Sequence, residues 1–327
     1  MKVCVVGLGA IGGCFAYGLA ASGHEVAGLA RGATLDALRA RGLRLTDGAG
    51  MGSVAIRAVE TAGDLGAQDL VVLAVKAPAL PEASSRIGPL LGFDTIVLPA
   101  MNGLPWWFFQ GFGGAFEGSS LRSVDPAGAI ASAIPARSLI GCVVHYGASC
   151  PEPGLVKTQA TRPLILGEPS GRSTDRLGAL CATLSAAGFE AEPSSCIQRD
   201  IWYKLWGNMT MNPLSALTGA TMDKILDDPL VARFCLDIMA EAKRIGARIG
   251  CPIEQGGEDR MAISRKLGAF KTSMLQDVEA GRRVELDALV SAVREIGGLA
   301  GEATPNIDIL LGLARLHART RGLYPSE

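Results

Sequence analysis

Lys2-Val3-Cys4-Val5-Val6-Gly7-Leu8-Gly9-Ala10-Ile11-Gly12 decides how the rest of the chain is read. Val3–Val6 is an apolar, β-branched run that suits a buried strand. The small residues from Ile11 to Ala21 suit a helix packed closely on a sheet. Between them stands G-x-G-x-x-G, whose meaning comes from this strand-to-helix setting rather than from the glycines alone. Gly7 permits the tight turn, Gly9 lets backbone approach a pyrophosphate, and Gly12 lets the helix lie close to the strand. The N-terminal N–H groups of the helix, at Ala10, Ile11 and Gly12, then point to the phosphates, helped by the helix dipole.

Outward from this turn, further strand-like runs follow at Glu25–Leu29, Leu70–Val75, Thr95–Leu98, Gly141–Tyr146 and Leu164–Leu166. Helical stretches separate them, so the first half predicts an α/β, doubly wound parallel sheet of Rossmann type. Gly111-Phe112-Gly113-Gly114 and the stretch before Gly141 read as surface loops. After Pro193 the pattern turns helical. Asp228-Pro229 predicts a capped helix start, followed by Val231, Phe234, Cys235, Ile238, Ala242, Ile245 and Ile249 at helical spacing, with Gly250 as the stop. Thr304-Pro305 opens a last helix carrying Ile309, Leu310, Leu313 and Leu316. A chain of 327 residues exceeds what one core usually serves. The expected division is a dinucleotide-binding domain over 1–194 and an all-helical substrate and catalytic domain over 195–327.

The net charge of −1 removes the broad electrostatic case for nucleic acid or for an anionic membrane. No run of about 18 apolar residues marks a membrane span. The opening residues already read as a core strand, without the features of a secretory leader. None of the eight cysteines forms a C-x-x-C pair, so a reduced cytoplasmic protein with no metal site is expected. The partner expected is a small molecule, with room left for a homodimer.

Cofactor choice is read where the second strand ends. A carboxylate there takes the ribose 2′-hydroxyl of NAD, whereas arginine takes the 2′-phosphate of NADP. Arg31 follows this strand and no acid occurs before Asp36, which points to NADP(H); an ordinary loop arginine is the bland alternative. Ligands in such sheets sit beyond the carboxyl ends of the strands, which draws attention to Lys76 and to Asn102-Gly103. For Lys76 an ordinary lysine reaching water is an equal reading.

In Trp202–Pro213, Lys204, Asn208 and Asn212 recur every four residues and predict one polar stripe on a helix walled by Trp202, Leu205, Trp206 and Met209. Pro213 predicts that this helix bends or ends at Asn212. One ammonium and two amides in an apolar segment suit a ligand rich in oxygen. Arginine cannot release a proton at working pH, but a partly desolvated lysine can, so Lys204 is the expected general acid. Downstream, Ser273 predicts either a helix cap working with Gln276 or a ligand contact. Glu285 and Asp287 precede the periodic run Leu286, Leu289, Val290, Val293 and Ile296, where the helix dipole alone also favours acids.

Taken together, the glycine turn, Arg31, the Val75-Lys76-Ala77-Pro78 and Met101-Asn102-Gly103 segments, Trp202–Gly219 and Thr272–Leu289 resemble the ketopantoate reductases over nearly the whole chain. The resemblance implies a Rossmann domain joined to a helical domain, and reduction of 2-dehydropantoate to pantoate by NADPH on the way to pantothenate. It implies that Gly7, Gly9, Ala10, Ile11 and Gly12 hold the pyrophosphate, Arg31 the 2′-phosphate, and that Lys76 and Asn102 line the nicotinamide side. Lys204 would be the general acid, with Glu285 meeting the substrate hydroxyl as the second catalytic residue. Asn102, Asn208 and Asn212 would position substrate, and Ser273 its carboxylate. The chain departs from the pattern at Phe270, where the family often has asparagine, and at Gly219–Met222, which lacks a further asparagine. The aromatic run Trp106-Trp107-Phe108-Phe109 is a candidate substrate wall, lid or subunit contact. It favours the alternative of a related keto- or hydroxy-acid dehydrogenase with a bulkier apolar substrate. A nucleotide-binding sensor without chemistry is the reading outside the enzymes.

Overall fold

The computed structural model describes residues 1–326. They divide into two compact units. The first holds Met1–Asn102, Trp107–Gly113 and Ala127–Asp200; the second holds Gly103–Trp106, Gly114–Pro126 and the chain from Ile201 onward.

In chain order the first unit begins β1 (Lys2–Val6), α1 (Ala10–Ala21), β2 (Glu25–Leu29), α2 (Gly32–Arg41), β3 (Leu43–Thr46), β4 (Met51–Val54) and β5 (Arg57–Val59). Then come β6 (Gln68–Leu73), α3 (Leu80–Arg86), β7 (Leu91–Pro99), α4 (Ala129–Ala133) and β8 (Gly141–Val144). It closes with β9 (Ala148–Glu152), β10 (Leu155–Thr158), β11 (Pro163–Gly167), α5 (Asp175–Ala186) and β12 (Glu190–Pro193). The main sheet runs β5-β2-β1-β6-β7, parallel throughout. Strand order therefore reverses between β1 and β6, and the crevice at such a switch point is where a dinucleotide lies.

Two smaller sheets, β4-β3-β10-β9 and β12-β11-β8, complete the unit. Most of their strands escape a reading by periodicity: Leu43–Thr46 and Leu155–Thr158 are four-residue segments with polar alternates. Helix α1 packs closely, as its composition predicts. A Cβ at Gly13 would fall 2.4 Å from a Val156 methyl on β10, and one at Gly18 would fall 2.5 Å from the Ala187 carbonyl. The aromatic run is core rather than lid: Trp107, Phe108 and Phe109 are at most 1% exposed. Phe108 meets Phe109 edge-on at 5.0 Å, and Trp107 and Ile197 lie over Gly141 so closely that only glycine fits there.

Helix α6 (Ile197–Thr218) opens the helical part. It runs on through Pro213, so of the bend or end that the sequence predicts there, the end does not occur. Proline inside a helix costs about 3 kcal/mol. Burial of Met211, Asn212, Leu214, Ser215 and Ala216 around it outweighs that local cost, because packing supplies most helical stability. Next are α7 (Met222–Asp227), α8 (Pro229–Arg248), α9 (Gly257–Arg265) and α10 (Ser273–Glu279). A π-helical segment, Asp287–Ser291, then leads into α11 (Ala292–Ala300), and α12 (Pro305–Thr320) ends the fold.

Asp228 caps α8 as its sequence predicts, accepting from the Leu230 and Val231 N–H groups at 3.0 Å. The start of α12 is served from a distance: the buried Glu241 carboxylate of α8 accepts from the Asn306 N–H at 2.9 Å, the Asn306 amide at 2.7 Å and the Ile307 N–H at 3.0 Å. On α12 the buried face is Ile307, Leu310, Leu311, Ala314 and Ala318, so Ile309, Leu313 and Leu316 are exposed. The two early segments belong to the second unit for definite reasons. The Leu104 N–H donates to the Ala288 carbonyl at 2.8 Å. Glu295 of α11 accepts from the Arg122 and Ser123 N–H groups at 2.8 Å and from the Ser123 hydroxyl at 2.6 Å.

Candidate active site

In the first unit, Gly7 has φ +93°, a left-handed backbone that disfavours any side chain. A Cβ there would also sit 2.8 Å from the Ala74 carbonyl oxygen and from a Val75 methyl, so the loop after β6 closes directly on the turn. At Gly12 a Cβ would lie 1.9 Å from the Gly7 carbonyl oxygen. Only glycine lets α1 start this close to β1. Gly9 is the opposite case: nothing stands within 4 Å of its would-be Cβ, so its backbone is open to close approach. The first helical bond runs from the Gly13 N–H to the Gly9 carbonyl at 2.8 Å. The N–H groups of Ala10, Ile11 and Gly12 therefore precede the helical ladder and are available to an anion. These residues fit a dinucleotide pyrophosphate.

Arg31 stands two residues beyond β2 at the start of α2, and its guanidinium donates to Glu82 of α3 at 3.1 Å. Arg86 shares the same carboxylate at 3.4 Å. With side chains 70% and 49% exposed, the Arg31–Glu82 pair is of the weak surface kind that an incoming phosphate can displace. Lys76 is exposed on the loop that closes against Gly7. Asn102, half-buried, lies three residues after β7. Glu82 has no signal in the sequence, because its place beside Arg31 is set by tertiary packing.

In the second unit, α6 keeps Lys204, Asn208 and Asn212 in unbroken helical register. Lys204 and Asn208 are half-buried and Asn212 is 6% exposed. The opposite side is anchored: Trp202, Leu205, Trp206 and Met209 are at most 3% exposed, and the Trp206 indole N–H donates to the Met239 carbonyl at 2.8 Å. Tyr203 donates its hydroxyl to Gln255 at 2.7 Å. Arg260 of α9 lies with its guanidinium carbon 5.0 Å from the centre of the Tyr203 ring. It also lies over Gly207, where a Cβ would come within 3.0 Å of Nη2. The sequence marks Arg260 only through Gly207, since a glycine inside a helix costs about 1 kcal/mol and often marks close packing.

Ser273 does not cap α10. Thr272 does, accepting from the Leu275 N–H at 3.2 Å, while Gln276 donates to the Lys271 carbonyl. Ser273, half-buried at the first helical position, is thus released from the role that competed with ligand contact. Glu285 is 5% exposed. Its neighbours fix it: Val284 N–H donates to the Leu323 carbonyl at 3.1 Å, and the π-helical segment begins two residues on. Such segments occur often at functional sites. Asp287 there accepts from Ser291 at 3.1 Å and from the Tyr324 hydroxyl at 2.5 Å. Burial, then this bond, push the Tyr324 phenol up to about 12. Gly103 sits against Ala288, 2.6 Å from its methyl by a would-be Cβ, which holds the residue after Asn102 on the same segment. The described residues contain no cluster fit for a metal ion and no helix long and apolar enough to cross a membrane.

A parallel sheet with a glycine turn at its switch point, carried on a chain with a helical second part, defines a dinucleotide-binding protein. The profile described as "Ketopantoate reductase PanE/ApbA" matches residues 3–171, and its C-terminal counterpart matches 196–318. The chain belongs to the ketopantoate reductase family. A 2-dehydropantoate 2-reductase of Mesorhizobium japonicum is 44% identical over 325 residues, 99% of this chain and 100% of that one. A Ralstonia solanacearum crystal structure assigned to the ketopantoate reductases is 56% identical, with a TM-score of 0.95 and 99% of both chains covered. D-mandelate dehydrogenase with NADH and anilino(oxo)acetate shares the fold, at 22% identity, TM-score 0.84, and coverage of 99% of this chain and 100% of that one.

Proposed function

We propose that this protein reduces 2-dehydropantoate to pantoate with NADPH, Lys204 serving as general acid. The observation that carries the reading is the stripe of one ammonium and two amides on an α6 that continues past Asn212. The near full-length likeness to a named 2-dehydropantoate 2-reductase supports the same substrate. Gly7, Gly9 and Gly12 with the N–H groups of Ala10 and Ile11 hold the pyrophosphate, and Arg31 exchanges Glu82 for the 2′-phosphate. Lys76 and Asn102 border the nicotinamide. NADPH held by these residues would supply the hydride that reduces the keto carbon. Lys204 gives a proton to the oxygen that becomes the alcohol, and the neutral amine then regains one from water. Asn208 and Asn212 orient the substrate, Ser273 meets its carboxylate, and Glu285 accepts from its hydroxyl. Donors already in place as charge develops on the oxygen lower the barrier without reorganisation.

Because the aromatic run is core, it no longer favours a bulkier substrate. The direct test is NADPH oxidation with 2-dehydropantoate, with a small keto acid and with an aryl keto acid, each repeated with NADH. The account expects fastest turnover for 2-dehydropantoate with NADPH. Preference for the aryl acid would move the chain to the neighbouring dehydrogenases. Cofactor binding with no oxidation of any acid would make it a sensor.

A further inference from the structure

We propose that Arg260 is a carboxylate-binding residue of this site, receiving the acid group of the keto-acid substrate; the inference rests on the reading of the chain as a keto-acid reductase. Among the described residues, the Arg260 side chain makes neither a hydrogen bond nor an ion pair, and its Nε is buried without a partner. The side chain lies instead over the Tyr203 ring and close to the Gly207 backbone. A half-buried cation with a buried donor left unsatisfied is costly unless an anion completes it. Other arginines of the helical part are satisfied: Arg248 pairs with Glu302, Arg265 with Asp227, Arg282 with Asp277 and Arg294 with Asp308. Arg260 is not, although Glu258 and Asp259 stand beside it on α9.

The position also restricts the side chain. A guanidinium set between an aromatic ring and a helix backbone loses less freedom when its edge meets a planar carboxylate, the bidentate arrangement to which it is suited. Tyr203 and Gly207 flank Lys204 and Asn208 on adjoining positions of the helix, so Arg260 covers the strip of α6 next to the polar stripe. A 2-keto acid presents a carboxylate one bond from its carbonyl, which matches a cation beside an ammonium. Gly207 then has a reason to be glycine, since any side chain would lift the guanidinium.

The test uses the whole protein and three ligands: 2-dehydropantoate, its carboxamide, and pantoate titrated calorimetrically with NADP+ present. Arg260→Gln should raise KM for the acid, and Kd for pantoate, by about 10- to 100-fold, the size of a lost charge-assisted pair. Its kcat for the acid, and both constants for the carboxamide, should change less than about threefold, within the spread of single surface changes. Arg260→Lys keeps the charge and loses the fork, so it should fall between; it also serves if the glutamine variant does not fold. Equal losses for acid and carboxamide, or a fall in kcat at constant KM, would overturn the proposal. Failure of the wild-type protein to turn over either ligand would instead overturn the reading on which it rests.

Discussion

Arg31 meets Glu82, which the proposed function would have it exchange for a ribose 2′-phosphate, and both side chains are open to solvent. The phosphate carries about two charges against one for the carboxylate, and offers more acceptor oxygens, so exchange favours the cofactor. Arg31→Asp places a carboxylate where the ribose hydroxyl of NADH is read. The ratio of kcat/KM for NADPH over NADH should fall at least about tenfold, the size of a charge-assisted contact; an unchanged ratio would remove Arg31 from cofactor choice. The place of Arg31 just beyond the second strand was legible. Glu82 and Arg260 were not, because neither belongs to a local pattern and each acquires its meaning from a partner distant in sequence.

Among the elements, α12 depends on a carboxylate that α8 supplies. Thr304 makes no side-chain cap, so Glu241 satisfies the first N–H groups and opposes the helix dipole. Glu241→Ala should cost about 1–3 kcal/mol in urea denaturation by leaving buried donors unsatisfied. A midpoint equal to wild type would show that water replaces the carboxylate. Sequence readings succeeded where one signal dominated, as with the glycine turn and the Asp228-Pro229 start. Burial overrode local preference elsewhere: α6 does not end at Pro213, and Thr272 rather than Ser273 makes the cap. Of the two smaller sheets only β8 and β11 were legible, as apolar runs; most of the other strands are four-residue segments, at the lower limit for alternation.

At the scale of the molecule, acid stability reports the buried Glu168. Burial raises its carboxyl, but bonds from Arg176 and Thr174 outweigh this and hold it below the ordinary 4.5. A carboxyl lowered on folding stabilises fully above its unfolded value, and that stability is lost as pH falls through the lower folded value. The wild-type melting temperature should therefore drop below pH 4.5. Glu168→Gln should melt lower at neutral pH and show a shallower fall there; parallel curves would contradict this role. The whole account depends on proton donation by a lysine of the helical part to a substrate that the dinucleotide reduces. The most direct measurement is kcat of Lys204→Ala beside its Kd for NADPH. A loss of about 10²–10⁴ in kcat, typical of a missing general acid, with NADPH binding retained, is the predicted result. Turnover equal to wild type would contradict it.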